Sequence, residues 1–467
     1  MWSCEMQPGK SLKSWAQMHL SFSLLVGALL LLLTYLVFSQ QFAISSPNVV
    51  TTDVELSNKA SLGETGRGRS DKVVACSTEG PYGDTCELDG DVRVNGTALS
   101  VSFVPSTGSR SHRRRRVRAW RIVSYARRNV TDAKVVTVTQ QLTDHAAAAA
   151  PPPCTVNHTA PAVLFALGGY TGNYWHDFTD VLVPLFVASR RYAGDVVLLV
   201  ARYNPWWLAK YATLLRRLSS HDVVDLDADD AQQIRCFSHL TVGLDMHREF
   251  NIVPEQVPGG QRLTMADFTA FLRDAYALPR AALPMEPPEK RKKKEKPRLL
   301  LVHRGRYRRI VNEEEVLRAA EKAGFDATVT EPRGDGPVDE QARSVNAFDA
   351  LVGLHGAGLT NAVFLPPGAV LVQVVPYGKL EPMARREFGE PAAAMGLQYL
   401  EYSVAAEEST LLEMLGPDHP VIRDPDSVHR SGWDKVAEFY LGKQDVRINV
   451  TRFAPTLAQA FNHLRNK

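Results

Sequence analysis

Cysteine is scarce in this chain: 467 residues carry five, at positions 4, 76, 86, 154 and 236. None combines with histidine at zinc-module spacing, so a structural zinc site is not expected. An excess of one charge is also missing, because 54 basic side chains nearly balance 51 acidic ones. A formal net charge of +3 gives no footprint for a polyanion, and nucleic acid is not expected as a partner. The chain lacks a G-x-S-x-G nucleophile elbow, and no internal repeat points to a solenoid. Overall disorder is excluded by a 45% apolar and 22% charged composition, which can bury the cores of more than one domain.

What is present begins with an uncharged run, LSFSLLVGALLLLLTYLVF at 20–38, long enough to cross a hydrocarbon core of about 30 Å. Lys10 and Lys13 precede it, and no charge follows until Asp53. The positive side is therefore N-terminal, which predicts a cytosolic tail (1–19), a signal-anchor and a translocated remainder, the type II arrangement. A cleaved signal peptide is the competing reading, with Ala43-Ile44-Ser45 as a weak cleavage site, but its apolar stretch is usually shorter. Cys76, Cys86, Cys154 and Cys236 lie beyond the anchor, where an oxidising lumen allows two bridges. Three connectivities are possible; closeness in sequence favours Cys76 with Cys86, leaving Cys154 with Cys236. Glycosylation sequons at Asn95, Asn129, Asn157 and Asn449 all fall on the same side.

Residues 39–72 are poor in large apolar side chains and read as a flexible stem. Short alternating runs between 76 and 143 predict strands, a β-rich elaboration at the start of an N-terminal domain spanning 73–280. Buried-strand runs at 162–167 and 195–200 then alternate with helices near 175–191 and 206–218. Proline and charge replace core residues at 281–297, a linker, and the alternation resumes over 298–467. Strands are expected at 298–304, 326–330, 351–354 and 369–375, with helices at 312–323 and 341–350. The pattern predicts an α/β protein of two doubly wound domains facing a cleft, with ligands at the C-terminal strand ends.

Three strand ends carry candidate chemistry. The first, Gly168-Gly-Tyr-Thr-Gly-Asn-Tyr-Trp-His-Asp-Phe-Thr-Asp180, places His176 and Asp180 on one helix face, where either could accept a proton from a hydroxyl. A capped helix start with a local His–Asp hydrogen bond is the plain alternative. The second follows the strand at 298: Arg304, Arg306, Arg308 and Arg309 stand before a helix start where Asn312 and Glu315 suit a cap pair. Such a loop fits a diphosphate, or simply a solvated basic surface. The third, His355-Gly356-Ala357-Gly358, is a small-residue turn leading to an expected helix. Asn361 stands where a dinucleotide fingerprint would need glycine, and no Walker ending follows. Asp225, Asp227 and Asp229 could pair around a divalent metal, but acidic loops of this kind are common and no metal is expected. The basic runs 113–116 and 291–294 read as exposed loops.

Taken together, N-x-x-H-x-F-x-D from Asn173 to Asp180, R-x-x-x-R-x-x-x-N-E from Arg304 to Glu313, and H-G-A-G-L-T-N from His355 to Asn361 resemble glycosyltransferase family 61 in order and spacing. The flavour is that of the grass xylan-decorating branch, over roughly residues 73–460. The resemblance implies two Rossmann-like domains of the GT-B type, inverting chemistry, no required metal or other cofactor, and residence in the Golgi membrane. It further implies a UDP-pentose donor, xylose or arabinofuranose, held by Arg304, Arg308, His355, Gly356, Ala357 and Gly358, with Glu313 and Asn361 orienting it. His176 and Asp180 would face it as catalytic residues, and xylan or another glycan would be the acceptor. His303 stands where many relatives have serine. Transfer of β-1,2-xylose to the N-glycan core, or a non-catalytic glycan-binding subunit of a synthase complex, are the alternatives. Oligomeric state is left open.

Overall fold

The computed structural model describes residues 73–466 apart from 105–117, 129, 141–150, 230–231, 284–295 and 332–335. The tail, anchor and stem, Asn129, both basic runs and most of the linker therefore lie outside the described residues. Among the described residues no helix is long and apolar enough to cross a membrane.

The first sheet has ten strands: β1 (Val74–Ser77), β2 (Thr85–Asn95), β3 (Ser100–Val104), β4 (Arg118–Val123), β5 (Val135–Gln140), β6 (Val156–Asn157), β7 (Ala162–Ala166), β8 (Val197–Ala201), β9 (Val224–Asp225) and β10 (Ile234–Val242). They run in the order β4-β5-β3-β2-β10-β7-β8-β9, with β1 also on β2 and β6 on β10. Every residue of β7 and β8 is buried, as expected of parallel strands covered on both faces. In β2 the burial mostly alternates, and it pairs antiparallel with β10. The β-rich elaboration is thus continuous with the parallel strands rather than a separate piece. Two disulfides secure this region, Cys76–Cys86 between paired strands and Cys154–Cys236 at the start of β10, matching the favoured connectivity.

The second sheet is wholly parallel: β11 (Arg298–Val302), β12 (Asp326–Thr330), β13 (Ala350–Leu354), β14 (Val370–Val375) and β15 (Gln398–Ser403), in the order β12-β11-β13-β14-β15. The direction of progress reverses between β11 and β13, so the loops leaving these two strands open a crevice at their C-terminal ends. The strands lie where the sequence puts them. Three helical segments differ. The helix expected at 206–218 is two, Pro205–Lys210 and Ala212–Leu218, broken at Tyr211, and that expected at 341–350 is Val338–Asn346. The segment after His355 is a 3-10 helix, Ala357–Phe364. There Asn361 Nδ2 donates to Gly358 O at 2.9 Å, a local bond that competes with the α-helical ladder, and Pro366 and Pro367 follow.

One apolar cluster runs through both sheets' covering layers, from Phe165 and Phe178 to Phe364 and Phe388. Phe178 meets Phe364 edge-on at 6.2 Å, and Tyr276 meets it at 5.9 Å. Where the chain leaves the first lobe, Arg280 Nη2 donates to Asp349 Oδ1 at 2.6 Å and its backbone amide to Asn346 Oδ1 at 2.9 Å. The lobes are therefore held by packing as well as by the linker.

Candidate active site

The glycine turn after β7 is shaped by its own side chains. Thr171 Oγ1 donates to Gly168 O at 2.7 Å, and Asn173 Oδ1 accepts from Trp175 N at 3.1 Å to start the helix. Asp177, fully buried, accepts from Gly172 N, Trp207 Nε1 and Tyr211 OH at 2.7–2.8 Å and so pins the turn to the helices after β8. The stretch Asp177–Leu182 winds as a π-helix, a form often met at functional sites.

Within that turn His176 Nδ1 donates to Asp180 Oδ2 at 2.9 Å. Asp180, fully buried, also accepts from Tyr125 OH at 2.7 Å and from Arg127 Nε at 2.9 Å. Burial opposes its ionisation, but the bond from His176 and the Arg127 guanidinium outweigh it and hold the carboxyl below its ordinary value. Asp180 is thus a carboxylate with committed lone pairs, a poor proton acceptor. The imidazole differs. Nδ1 is fixed as a donor, the ring is partly exposed, and among the described residues no hydrogen bond engages Nε2. A histidine so held can take a proton at Nε2 while Asp180 stabilises the resulting charge. Arg127 continues the network, donating from Nη2 to Glu249 Oε2 at 2.6 Å.

Across the molecule, the crevice between β11 and β13 collects the other two clusters. Arg304 and Arg308 both lie against Gly356: a methyl placed there would overlap Arg304 Nη1 and stand 2.9 Å from Arg308 Nη2. Gly356 has φ +137°, a conformation that favours glycine. Arg304 spends Nε on Tyr307 O, and among the described residues Arg308 Nε is buried without a partner. Burial, then the neighbouring Arg304, pulls the Arg308 guanidinium down to about 9, and burial lowers Arg304 as well. Two half-buried cations side by side, with no carboxylate hydrogen-bonded to either among the described residues, form a site that an anion would relieve. His355 lies below them, its Nδ1 accepting from Gln373 Nε2 at 2.8 Å. Burial and both arginines depress it to about 3, so its Nε2 carries the proton of a neutral ring.

Phe388 joins the two halves, with its ring centroid 5.7 Å from His355 and 6.4 Å from Trp175, the neighbour of His176. Beside it Glu387 stands with Oε2 3.6 Å from His355 Nε2. Burial, then Glu249 of the first lobe, pushes its carboxyl up to about 7. Like Asp180, Glu387 belongs to a π-helical turn, Arg385–Gly389.

The remaining expected residues lie nearby in supporting positions. Glu313 accepts from His303 Nδ1 at 2.9 Å, which gives that imidazole a partner. Asn361 is buried and accepts from Gln341 Nε2 while bonding Gly358 O, so its amide braces the turn of Ala357 and Gly358. Asn312 pairs with Glu315 at 2.9 Å as expected, but spends its amide on the backbone of Ile448 rather than on the helix start. Asp225 and Asp227 accept backbone amides of the 203 and 227–228 segments, and Asp229 binds Arg235. Of the sequons, Asn157 and Asn449 are exposed and Asn95 is half-buried. Tyr125, Arg127, Asp177, Glu249 and Glu387 escape the sequence reading. Each sits outside the strand-end clusters or, as with Asp177, shows no partner in sequence, and only the fold brings its partners near.

Residues 174–372 match the family model described as Glycosyltransferase 61. Beta-1,2-xylosyltransferase XYXT1 of Oryza sativa subsp. japonica is 41% identical over 84% of this chain and 84% of its own length. Alpha-1,3-arabinosyltransferase XAT3 of the same organism is 40% identical over 82% of this chain, which spans 64% of that relative. Xylan glycosyltransferase MUCI21 of Arabidopsis thaliana is 31% identical over 84% of this chain and 80% of its own length.

Proposed function

Because this chain belongs to glycosyltransferase family 61, we propose that it is an inverting enzyme that moves a pentose, xylose or arabinofuranose, from a UDP-sugar to xylan in cell-wall synthesis. The relatives' names support pentosyl transfer and, in one case, xylan. The observation that carries the reading is the close approach of Arg304 and Arg308 over Gly356, with no carboxylate hydrogen-bonded to either among the described residues. That pair is the means of holding a diphosphate, and an imidazole with a free Nε2 stands across Phe388 from it.

In the reaction, an acceptor hydroxyl oxygen attacks the anomeric carbon as the bond to UDP breaks, and the bonding pair leaves on the β-phosphate. The configuration inverts in this single displacement. His176 Nε2 takes the hydroxyl proton, while Asp180, Tyr125 and Arg127 fix the ring and stabilise its charge. Arg304, Arg308 and the Gly356–Gly358 turn stabilise the departing diphosphate, the task a metal performs elsewhere. His355, Asn361 and Glu313 hold this half in shape. The doubly wound strand order of the second sheet and the parallel strands β10, β7 and β8 of the mixed first sheet support a GT-B reading, with donor and acceptor on opposite sides. The apolar run at 20–38 and the sequons support a type II protein of the Golgi membrane with its catalytic part in the lumen.

The test is incubation of the purified chain with UDP-xylose or UDP-arabinofuranose and xylo-oligosaccharides, followed by linkage analysis. Transfer with inversion, undiminished by chelator and lowered on the order of 100-fold by Arg304→Ala, is expected. No pentose transfer to any xylo-oligosaccharide, or full activity of Arg304→Ala, would overturn it.

A further inference from the structure

Large apolar side chains are rarely left in water unless they are single and scattered, so those that gather at a site need a reason. In the first lobe only two Tyr, Trp or Phe side chains are exposed among the described residues, Tyr170 at 50% and Trp206 at 48%. They are not scattered. Tyr170 lies in the turn after β7 and Trp206 at the start of the helix after β8, and these strands are parallel neighbours. Both rings therefore stand at the C-terminal edge of the sheet, where the His176 cluster is.

Each ring is also tied to that cluster. Tyr170 stacks on the His176 imidazole with centroids 4.4 Å apart and planes 27° from parallel. Trp206 carries the Lys210 ammonium 5.1 Å from its centroid, and Lys210 Nζ lies 3.5 Å from Asp177 Oδ2, on the residue after His176. The next residue in the chain, Trp207, is buried and its ring donates to the same Asp177 carboxylate. Two aromatic faces are thus held on a rigid frame next to the proton-accepting nitrogen while remaining half open to solvent.

The geometry points to Tyr170 and Trp206 as an acceptor platform on which successive pyranose rings of a linear xylan backbone stack, on either side of the residue receiving the pentose. This rests on the xylan reading above. Pentopyranose rings carry no hydroxymethyl arm, so their C–H faces are flat and slightly positive, and an aromatic face is negative. Such contacts discriminate by chain length, because a short acceptor cannot cover both rings and still place a hydroxyl at His176. The platform binds a chain of three or more sugars, which can cover both rings, more tightly than a disaccharide.

The experiment uses the purified 467-residue chain, Trp206→Ala, Tyr170→Ala and the conservative Trp206→Phe and Tyr170→Phe. Direct calorimetric binding of xylohexaose without donor is measured beside transfer kinetics on xylobiose and xylohexaose and beside UDP affinity. Trp206→Ala is expected to weaken xylohexaose binding and raise its KM about 3- to 10-fold, the loss of one aromatic contact. The KM for xylobiose should change less, UDP affinity should hold, and the phenylalanine variants should keep most of the binding. If the wild-type chain binds xylohexaose and Trp206→Ala loses it while no transfer occurs, the platform stands and the enzymatic reading falls. If transfer proceeds but Trp206→Ala and Tyr170→Ala bind both acceptors as the wild type does, the platform is wrong. Equal losses on both acceptors also overturn it, as does a wild-type chain that binds no xylohexaose.

Discussion

His176 Nδ1 lies 2.9 Å from Asp180 Oδ2, and Asp180 is fully buried with Tyr125 and Arg127 on its other lone pairs. The dyad divides labour between the two residues. His176→Ala removes the group that can take the proton, so transfer should fall at least 100-fold with UDP affinity unchanged, by initial rates and calorimetry. Asp180→Asn should lose activity and also stability, on the order of 3 kcal/mol by urea denaturation, because the half-buried Arg127 loses its fully buried carboxylate partner and keeps only Glu249. Full activity in His176→Ala would remove it from the mechanism.

Gly356 supports a second test, because its hydrogen stands where a methyl would strike both guanidiniums. Gly356→Ala must push Arg304 and Arg308 out of register and adopt a φ of +137° unsuited to alanine. UDP affinity should drop at least 10-fold. Arg308→Met should also lose UDP affinity, yet the free protein should be more stable by about 1 kcal/mol, because a half-buried cation beside Arg304 with no carboxylate bonded to it is gone, at the cost only of its longer-range attraction to Glu387. Thermal melts with and without UDP read both effects, and tight UDP binding by Gly356→Ala would show that the anion sits elsewhere.

The strands and the three glycine- or arginine-bearing strand ends were legible because each is a local pattern: β7, β8, β13 and β14 are buried throughout, and turns need small residues. Strand order was not legible, yet it is what sets His303–Arg308 beside His355–Gly358, through the reversal between β11 and β13. His176 and Asp180 were readable as a pair, four residues apart, but their roles were not. Tyr125 and Arg127 reach Asp180 across more than fifty residues, and Glu387 approaches Glu249 and His355 from a segment with no motif. The helix expected after His355 is there, but it winds as a 3-10 helix, and the Asn361 bond to Gly358 O that favours this form is not recorded by propensity.

The two disulfides should differ in worth. Cys154–Cys236 closes a separation of 82 residues and Cys76–Cys86 one of 10. Loop-closure entropy gives about 4.5 kcal/mol for the longer and about 2.7 kcal/mol for the shorter at 25 °C. Cys154→Ser with Cys236→Ser should therefore lower urea stability by more than the Cys76→Ser with Cys86→Ser pair. The reverse order would mean that the unfolded chain is already compact across 154–236.

Glu387 provides the pH dependence. Its folded carboxyl is pushed up to about 7, first by burial and then by Glu249, against an ordinary value of 4.5. Between those values the folded protein holds a proton that the unfolded chain has released, so stability falls as pH rises through this window and levels off above it. At about 1.4 kcal/mol per unit the whole effect is at most about 3.5 kcal/mol. Glu387→Gln resembles the protonated acid at every pH. It should match the wild type near pH 4.5, and its advantage should grow through the window to a plateau above about pH 7. Urea denaturation across that range measures it. An advantage that does not change with pH would mean that Glu387 is ionised throughout, with Arg127, Arg308 and Arg386 compensating its burial.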